Sequence, residues 1–252
     1  MGQHFLADPN LARAIVRDAG VEADDRVLEV GAGLGSLTLA LADAGAQVTA
    51  LELDRGLLAG LAEVTDGLGV RILREDAMTA AWGELLGPGR WRMASNLPYN
   101  VAVPVIIRML EEALNVDPFL VMVQREVGER LTARPGEPGY GAVSLKVAYR
   151  AISAIVRRIP KEVFWPEPKI ESVLVRLERR PPPVAVREEA VFELVDEGFA
   201  QRRKTMANAL VRLGHSRDRA QVALREAGID TRARAETLDL EGFARLVEAL
   251  GA

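Results

Sequence analysis

Apolar positions along the first two thirds of the chain switch repeatedly between a helical period and short continuous runs. Residues 11–19 carry apolar side chains at helical spacing, with Asp8-Pro9 before them and Gly20 after, which predicts a helix capped by Asp8 and stopped by Gly20. Residues 26–30 form a short apolar run that ends at Gly31 and read as a strand. Helical spacing returns over 36–44 and ends at Gly45; 47–53 is a second strand and 55–64 a second helix. Residues 70–73, 91–95 and 119–124 read as further strands, with helices at 82–86 and 101–113. Residues 143–149 and 172–177 are β-like, the second with clear alternation. Strands separated by helices predict βαβ units, a parallel sheet and right-handed crossovers.

Pro181-Pro182-Pro183 cannot continue a strand or a helix interior, so it is the expected linker. Beyond it the pattern is helical, over about 188–199, 203–213, 216–227 and 240–250, with Gly214, Gly228 and Gly251 as C-terminal stops. The expected fold class is α/β, with an α/β domain over residues 1–180 and a small helical domain over 184–252. No internal repeat or low-complexity tract interrupts it.

Composition narrows the function classes. With 252 residues, 49% hydrophobic and 27% charged, the chain is a folded protein of one or two domains. No apolar run reaches the length of a membrane span and no charged-then-apolar leader opens the sequence, so a cytoplasmic protein without a membrane partner is expected. The absence of cysteine removes disulfides, thiolate metal sites and a cysteine nucleophile together. Only His4 and His215 are histidines, far apart in sequence, so no metal site is expected, and His215 reads as a surface residue near a helix end. The net charge of −4 hides a pattern: residues 1–145 carry 12 basic and 20 acidic side chains, whereas 146–180 carry 9 basic and 4 acidic. A basic segment in an acidic chain is either a footprint for a polyanion or a solvated arginine-rich surface.

Three motifs carry chemistry. Glu29-Val30-Gly31-Ala32-Gly33-Leu34-Gly35 lies where a strand turns into a helix, and its glycines permit a tight turn and close approach of a ligand to the backbone. Glu52 lies 21 residues after Gly31, at the end of the second strand. A carboxylate there can accept both ribose hydroxyls of a nucleoside-type cofactor, each bond being worth roughly 1.5–3 kcal/mol; otherwise it is an exposed strand-end acid. Asp76-Ala77 follows the third strand, where an acid can bind an adenine amino group or merely cap a helix. Asn96-Leu97-Pro98-Tyr99 follows the fourth strand. Asn, Pro and Tyr are common in turns, but this order suits a specific reaction. An exocyclic aromatic amine is a poor nucleophile because its lone pair is delocalised into the ring. A side-chain oxygen and a backbone carbonyl that accept its two N–H groups favour a pyramidal nitrogen, and an aromatic ring can stack on the base and hold it in line with an electrophilic methyl.

With these residues in place the sequence resembles the class I S-adenosylmethionine methyltransferases of the ribosomal RNA adenine N6 family, and among them the bacterial 16S adenine dimethyltransferase type. Gly2-Gln3-His4-Phe5-Leu6 resembles the family's Gly-Gln-Asn-Phe-Leu; residues 31–35 resemble its cofactor loop, Glu52-Leu53-Asp54 its ribose acid, and Asp76-Ala77-Met78 its adenine clamp. Residues 96–100 resemble its catalytic loop. Phe164-Trp165-Pro166-Glu167-Pro168-Lys169-Ile170 with Ser172 resembles Phe-x-Pro-x-Pro-Lys-Val-x-Ser, and Gln201-Arg202-Arg203-Lys204-Thr205 with Asn208 its C-terminal signature. Gln124-Arg125-Glu126-Val127, Arg130-Leu131 and Pro135-Gly136 to Tyr140-Gly141 look like the small-subunit enzymes rather than the sister enzymes that methylate 23S rRNA. His4 departs from the family's Asn, and the sequence opens at Met1-Gly2 without the basic residues that usually precede this motif in the family, so some RNA contacts are expected to be missing.

The resemblance implies a Rossmann-like methyltransferase sheet with a helical RNA-recognition domain, S-adenosylmethionine as methyl donor, and 16S rRNA in the 30S subunit or its precursor as partner of a monomer. It implies catalysis by Asn96, Leu97, Pro98 and Tyr99, with Phe164 as the second face of a sandwich around a flipped adenine. It implies cofactor binding by His4, Leu6, Glu29, Gly31, Gly33, Glu52, Asp76, Ala77 and Asn96. Arg157, Arg158, Lys161 and Lys169, and Arg202, Arg203 and Lys204, are candidates for holding RNA phosphates, against surface solvation or helix capping. Two rival functions stand beside this one: a 23S rRNA methyltransferase, and a non-catalytic nucleic-acid-binding factor on the same fold.

Overall fold

The computed structural model describes residues 4–201 and 203–251. The strands are β1 (Phe5–Leu6), β2 (Arg26–Val30), β3 (Gln47–Leu51), β4 (Arg71–Leu73), β5 (Trp91–Asn96), β6 (Val116–Gln124), β7 (Ala151–Ile159), β8 (Phe164–Trp165) and β9 (Ser172–Arg179). The helices are α1 (Pro9–Ala19), α2 (Ser36–Asp43), α3 (Arg55–Val64), α4 (Trp82–Leu86), α5 (Ala102–Glu112), α6 (Arg125–Thr132), α7 (Ala142–Arg150), α8 (Glu188–Ala200), α9 (Met206–Arg212), α10 (Arg217–Glu226) and α11 (Leu240–Leu250). The chain divides into two compact units, residues 1–128 with 153–179, and 129–152 with 180–252.

The first unit is built on a seven-stranded sheet in the order β4-β3-β2-β5-β6-β9-β7. Strands β4 to β6 are mutually parallel, and β9 joins β6 antiparallel. Such strands are covered on both faces and read as continuous apolar runs; in β2 and β3 every residue after the first is buried. From β2 the chain builds outward to β3 and β4, then returns to β2's other side with β5. This reversal is a topological switch point, and the crevice beyond the strand ends there is where ligands bind in open α/β sheets.

Local signals set the element ends. Asp8 caps α1 by accepting the Asn10 N–H at 2.8 Å, and Gly20 ends it at φ 62°. Asp54 caps α3 by accepting the Gly56 N–H at 2.8 Å. The C-terminal carbonyls of α5 are held by Arg179 of β9, which donates to Leu110 at 2.9 Å, Met109 at 3.0 Å and Ala113 at 2.9 Å. A guanidinium there satisfies orphan carbonyls and opposes the negative end of the helix dipole. Midway along α5, Arg108 donates to the carbonyls of Ala77 at 2.9 Å and Ala80 at 2.7 Å, tying the loop after β4 to this helix.

Two sequence expectations are corrected. Residues 143–149 are helical, not β-like: Val143, Leu145, Val147 and Tyr149 alternate in sequence, yet the segment lies in α7. The Ser144 hydroxyl accepts the Gly141 N–H at 3.1 Å and donates to the Arg130 carbonyl at 2.6 Å, starting the helix and anchoring it. The strand follows instead, as β7, whose largely exposed side chains hid it from a search for apolar runs. The unit boundary also departs from the expected one, because residues 129–152 group with the helices that follow the triple proline. Tyr140, Leu145 and Tyr149 are buried in one core cluster with Val191, Leu210 and Phe243, and the Tyr140 hydroxyl donates to the Leu238 carbonyl at 2.7 Å.

Candidate active site

Where β2, β3 and β5 end, the first unit opens a cleft of about 930 Å³, within the range of small-molecule and cofactor sites. The 31–35 turn forms its floor. Gly31 and Gly33 adopt φ of 77° and 58°, the left-handed region that glycine enters without penalty. A Cβ on Gly31 would meet Pro98 Cδ at 3.0 Å, and one on Gly33 would meet the Phe5 ring at 3.1 Å. The turn is therefore wedged between the 96–99 loop and β1. It is pinned from beneath by the Leu51 carbonyl, which accepts the N–H of Gly31 at 2.8 Å and of Ala32 at 3.1 Å.

Glu52 is not the exposed strand-end acid that its position allowed. It is only 6% exposed, and its carboxylate accepts the Gly33 N–H at 2.8 Å on one oxygen and the Asp54 N–H at 2.9 Å on the other. It thus ties the glycine turn to β3 while still lining the cleft. Each carboxylate oxygen offers two lone pairs, so acceptor capacity remains for a ligand. Glu29, at the end of β2, is buried and accepts the Thr38 hydroxyl at 2.6 Å. Burial pushes its carboxyl up to about 8, the Thr38 bond opposing and the Glu52 charge adding to the shift. At pH 7 Glu29 is therefore mostly neutral. Asp76, Asp54, Arg55 and Arg74 complete the charged lining. Asp76 spends one oxygen on the Met78 N–H at 2.8 Å.

The 96–99 loop forms the opposite wall. Asn96 ends β5 beside Met122, and its side-chain nitrogen donates to the His4 carbonyl at 3.3 Å. A carbonyl partner requires the NH2 group, so the bond fixes the amide orientation and leaves Oδ1 as the free end. The Leu97 N–H is taken by the Met122 carbonyl at 3.1 Å and the Pro98 carbonyl by the Val101 N–H at 3.1 Å. Tyr99 donates to or accepts from the Ser172 hydroxyl at 2.8 Å. Burial pushes the Tyr99 hydroxyl above its ordinary value, so it stays protonated. His4 stacks against the Tyr99 ring, centroids 5.6 Å apart at 30°, and donates from Nδ1 to the Pro166 carbonyl at 2.7 Å.

A family model described as ribosomal RNA adenine dimethylase matches residues 1–251. The chain belongs to the ribosomal RNA adenine dimethylase family. Its relatives include the "Ribosomal RNA small subunit methyltransferase A" of Thermobifida fusca (strain YX), 47% identical over 98% of this chain and 88% of its own length. The protein of the same name from Streptomyces griseus is 46% identical, covering 98% and 87%. Among solved structures, a dimethyladenosine transferase from Plasmodium falciparum shares the fold at TM-score 0.81, with 21% identity and 96% of each chain covered. The 23S rRNA methyltransferase ErmE is 27% identical at TM-score 0.73, covering 98% of this chain and 100% of its own.

Against this dimethylase membership the sequence-predicted residues sort as follows. His4, Leu6, Glu29, Gly31, Gly33, Glu52, Asp76, Asn96, Leu97, Pro98 and Tyr99 all line the one cleft. Ala77 lies outside the lining, buried beneath it and tied to Arg108. Phe164 is 4% exposed and sits in the sheet's core cluster with Leu6, outside the cleft lining. In the basic segment Arg157 makes a bidentate pair with Asp18, at 2.6 and 2.9 Å, and Lys161 pairs with Glu167 at 2.8 Å. Arg158, Lys169, Arg203 and Lys204 are exposed, and Arg202 lies outside the described residues. Sequence reasoning missed Ser172, Ser95 and Arg108 as positioning residues. Ser95 accepts the Val30 N–H at 2.9 Å and so joins β5 to the glycine turn's strand. An Arg one turn from the end of α5 gives no sequence signal that it holds a loop.

Proposed function

We infer that this chain dimethylates N6 of adenosine in small-subunit ribosomal RNA, acting on two adjacent adenosines near the 3′ end of 16S rRNA during subunit assembly. The observation that carries this reading is the amide orientation of Asn96 in the cleft, whose nitrogen is held by the His4 carbonyl so that its oxygen is left as an acceptor. The residues fit S-adenosylmethionine: Glu52 retains lone pairs for the ribose hydroxyls, Asp76 an oxygen for the adenine amino group, and the glycine turn admits a close ligand. When bound, S-adenosylmethionine supplies an electrophilic methyl group.

The chain's own residues do the rest. Asn96 Oδ1 and the Leu97 carbonyl accept the two N–H groups of the exocyclic amine, which frees the nitrogen lone pair. Tyr99 stacks on the base and holds it in line. No side chain needs to act as base, because the amine becomes acidic once methylated and then loses a proton to water. The raised Tyr99 hydroxyl agrees with that division of labour. Arg158 and Lys169 are exposed cations of the basic segment and would meet phosphates. The reading predicts methyl transfer to undermethylated 30S particles and none to naked 23S rRNA; labelled methyl on 23S rRNA alone would instead establish the rival enzyme, and none on either the non-catalytic one.

The Tyr99–Ser172 bond refines a further expectation. The ring matters most, but the hydroxyl has a holding role. Tyr99→Phe and Ser172→Ala each remove one net hydrogen bond, about 1 kcal/mol, and should each slow single-turnover methyl transfer by roughly fivefold. The double variant should lose no more than either single one. Tyr99→Ala, which removes the stacking surface, should be severely impaired. Tyr99→Phe as inactive as Tyr99→Ala would show that the hydroxyl takes part in the chemistry.

A further inference from the structure

We propose that the indole of Trp165 is a stacking platform for a base of the RNA strand that flanks the target adenosine, an inference that rests on the RNA substrate assigned above. Of the three tryptophans, Trp82 and Trp91 are 1% and 6% exposed, whereas Trp165 is 70% exposed. A large aromatic surface held in water is a standing hydrophobic cost, and such surfaces mark interaction sites.

Its place in the fold says what would cover it. In the β1–β8 pair, Leu6 lies opposite Phe164 and Phe5 opposite Trp165. Directly opposed residues share a face of a strand pair. Leu6 and Phe164 both turn into the core cluster. Phe5 and Trp165 therefore belong to the other face, where the Phe5 ring lies against Gly33; Phe5, like Leu6, lines the cleft. The next residue, Pro166, offers its carbonyl to His4, whose ring stacks on Tyr99. Trp165 thus stands one residue from the contact that joins β8 to His4 and, through it, to the catalytic loop.

The surroundings suit a nucleotide strand. Pro166 and Pro168 stiffen the turn that follows, and the Lys161–Glu167 pair braces it from the preceding side. Lys169 is exposed three residues on from Pro166, available to a phosphate, and Ile170 beside it is 44% exposed. Phe164 is buried, so the solvent-exposed aromatic face on β8 is that of Trp165. Stacking is tolerant of base identity, since every base has a π-face. Trp165 would therefore grip the strand rather than read its sequence.

The test uses the full-length chain. In steady-state methyl transfer to undermethylated 30S particles, Trp165→Ala should raise KM about tenfold, the loss falling on KM rather than kcat. Trp165→Phe should recover most of it, and Trp165→Leu, apolar without a π-face, should not. Because Trp165 is the one exposed tryptophan among the described residues, a single-stranded oligoriboadenylate should also quench the solvent-exposed part of the emission. An unchanged KM in Trp165→Ala, or full rescue by Trp165→Leu, overturns the stacking role while leaving the assigned function in place. A wild-type chain that fails to methylate 30S particles would overturn the assigned function instead, and the quenching experiment then still decides whether Trp165 binds RNA.

Discussion

Asn96→Ala should lower single-turnover methyl transfer by at least ~100-fold, the size of effect seen when one preorganised partner of a reacting group is removed. RNA affinity should fall no more than about threefold, because binding is spread over phosphate contacts on a wide surface. The two readouts separate because Asn96 acts on one amino group, and its worth appears where the nitrogen changes geometry. Asn96→Asp is the sharper variant. It keeps an oxygen for the amine but loses the donor that His4's carbonyl now accepts at 3.3 Å. A carboxylate facing that carbonyl would turn away, so Asn96→Asp should also be poor. Retained activity in Asn96→Asp would mean that orientation by His4 does not matter. Single-turnover rates on 30S particles, with filter-binding affinities alongside, check both expectations.

Glu52→Ala should show the second large effect, and it has two parts. Loss of the ribose acceptor should weaken S-adenosylmethionine at least tenfold, about 1.4 kcal/mol. An exposed strand-end acid could be removed without touching the fold. The structure says otherwise, since removal of the carboxylate strands the buried Gly33 N–H and leaves the Asp54 N–H without its partner. An orphaned buried donor costs about 1–3 kcal/mol, so the melting temperature should drop by several degrees. Glu52→Gln is no harmless substitute, because its NH2 must face one of the same two donors. Calorimetric titration well below the melting temperature separates the parts. Unchanged affinity in the folded variant would remove Glu52 from the ribose, and an unchanged melting temperature would contradict its role as the tie of the glycine turn.

Much of the scaffold was legible because its ends are written in local chemistry. Asp8 and Gly20 bracket α1, Gly251 ends α11, and β2 runs between the residues its apolar pattern names. Alternation misled at α7, where tertiary burial of Leu145 and Tyr149, one turn apart, overrode a strand-like order. Strand β7 was illegible for the converse reason: as the last strand in the sheet order it buries little and shows no apolar run. The motifs named much of the cleft lining, but not Ser36, Leu37, Arg55, Arg74 or Val101, and they included Ala77 and Phe164, which lie outside it. The bracing of the cleft was not legible. Whether Glu52 is exposed, where the Tyr99 hydroxyl goes and what Arg108 holds are questions about partners far away in sequence, up to 73 residues for Tyr99 and Ser172. Spacing carries no information about them.

Helix α5 acts as a gauge block between two measurements. The loop that feeds its first turn carries the proposed amine acceptors, and the guanidinium of Arg108 on its flank holds the loop that carries Asp76. With its tail pinned by Arg179, the helix has little freedom to slide along its own axis. The spacing between Asp76, proposed to read the cofactor's base, and the loop proposed to hold the substrate's base is therefore set by one helix rather than by two independent loops. A methyl moved in line between two bound molecules tolerates little error in their separation. Thermal wandering of either loop alone would spoil that alignment, whereas loops carried on a common rod drift together and keep it.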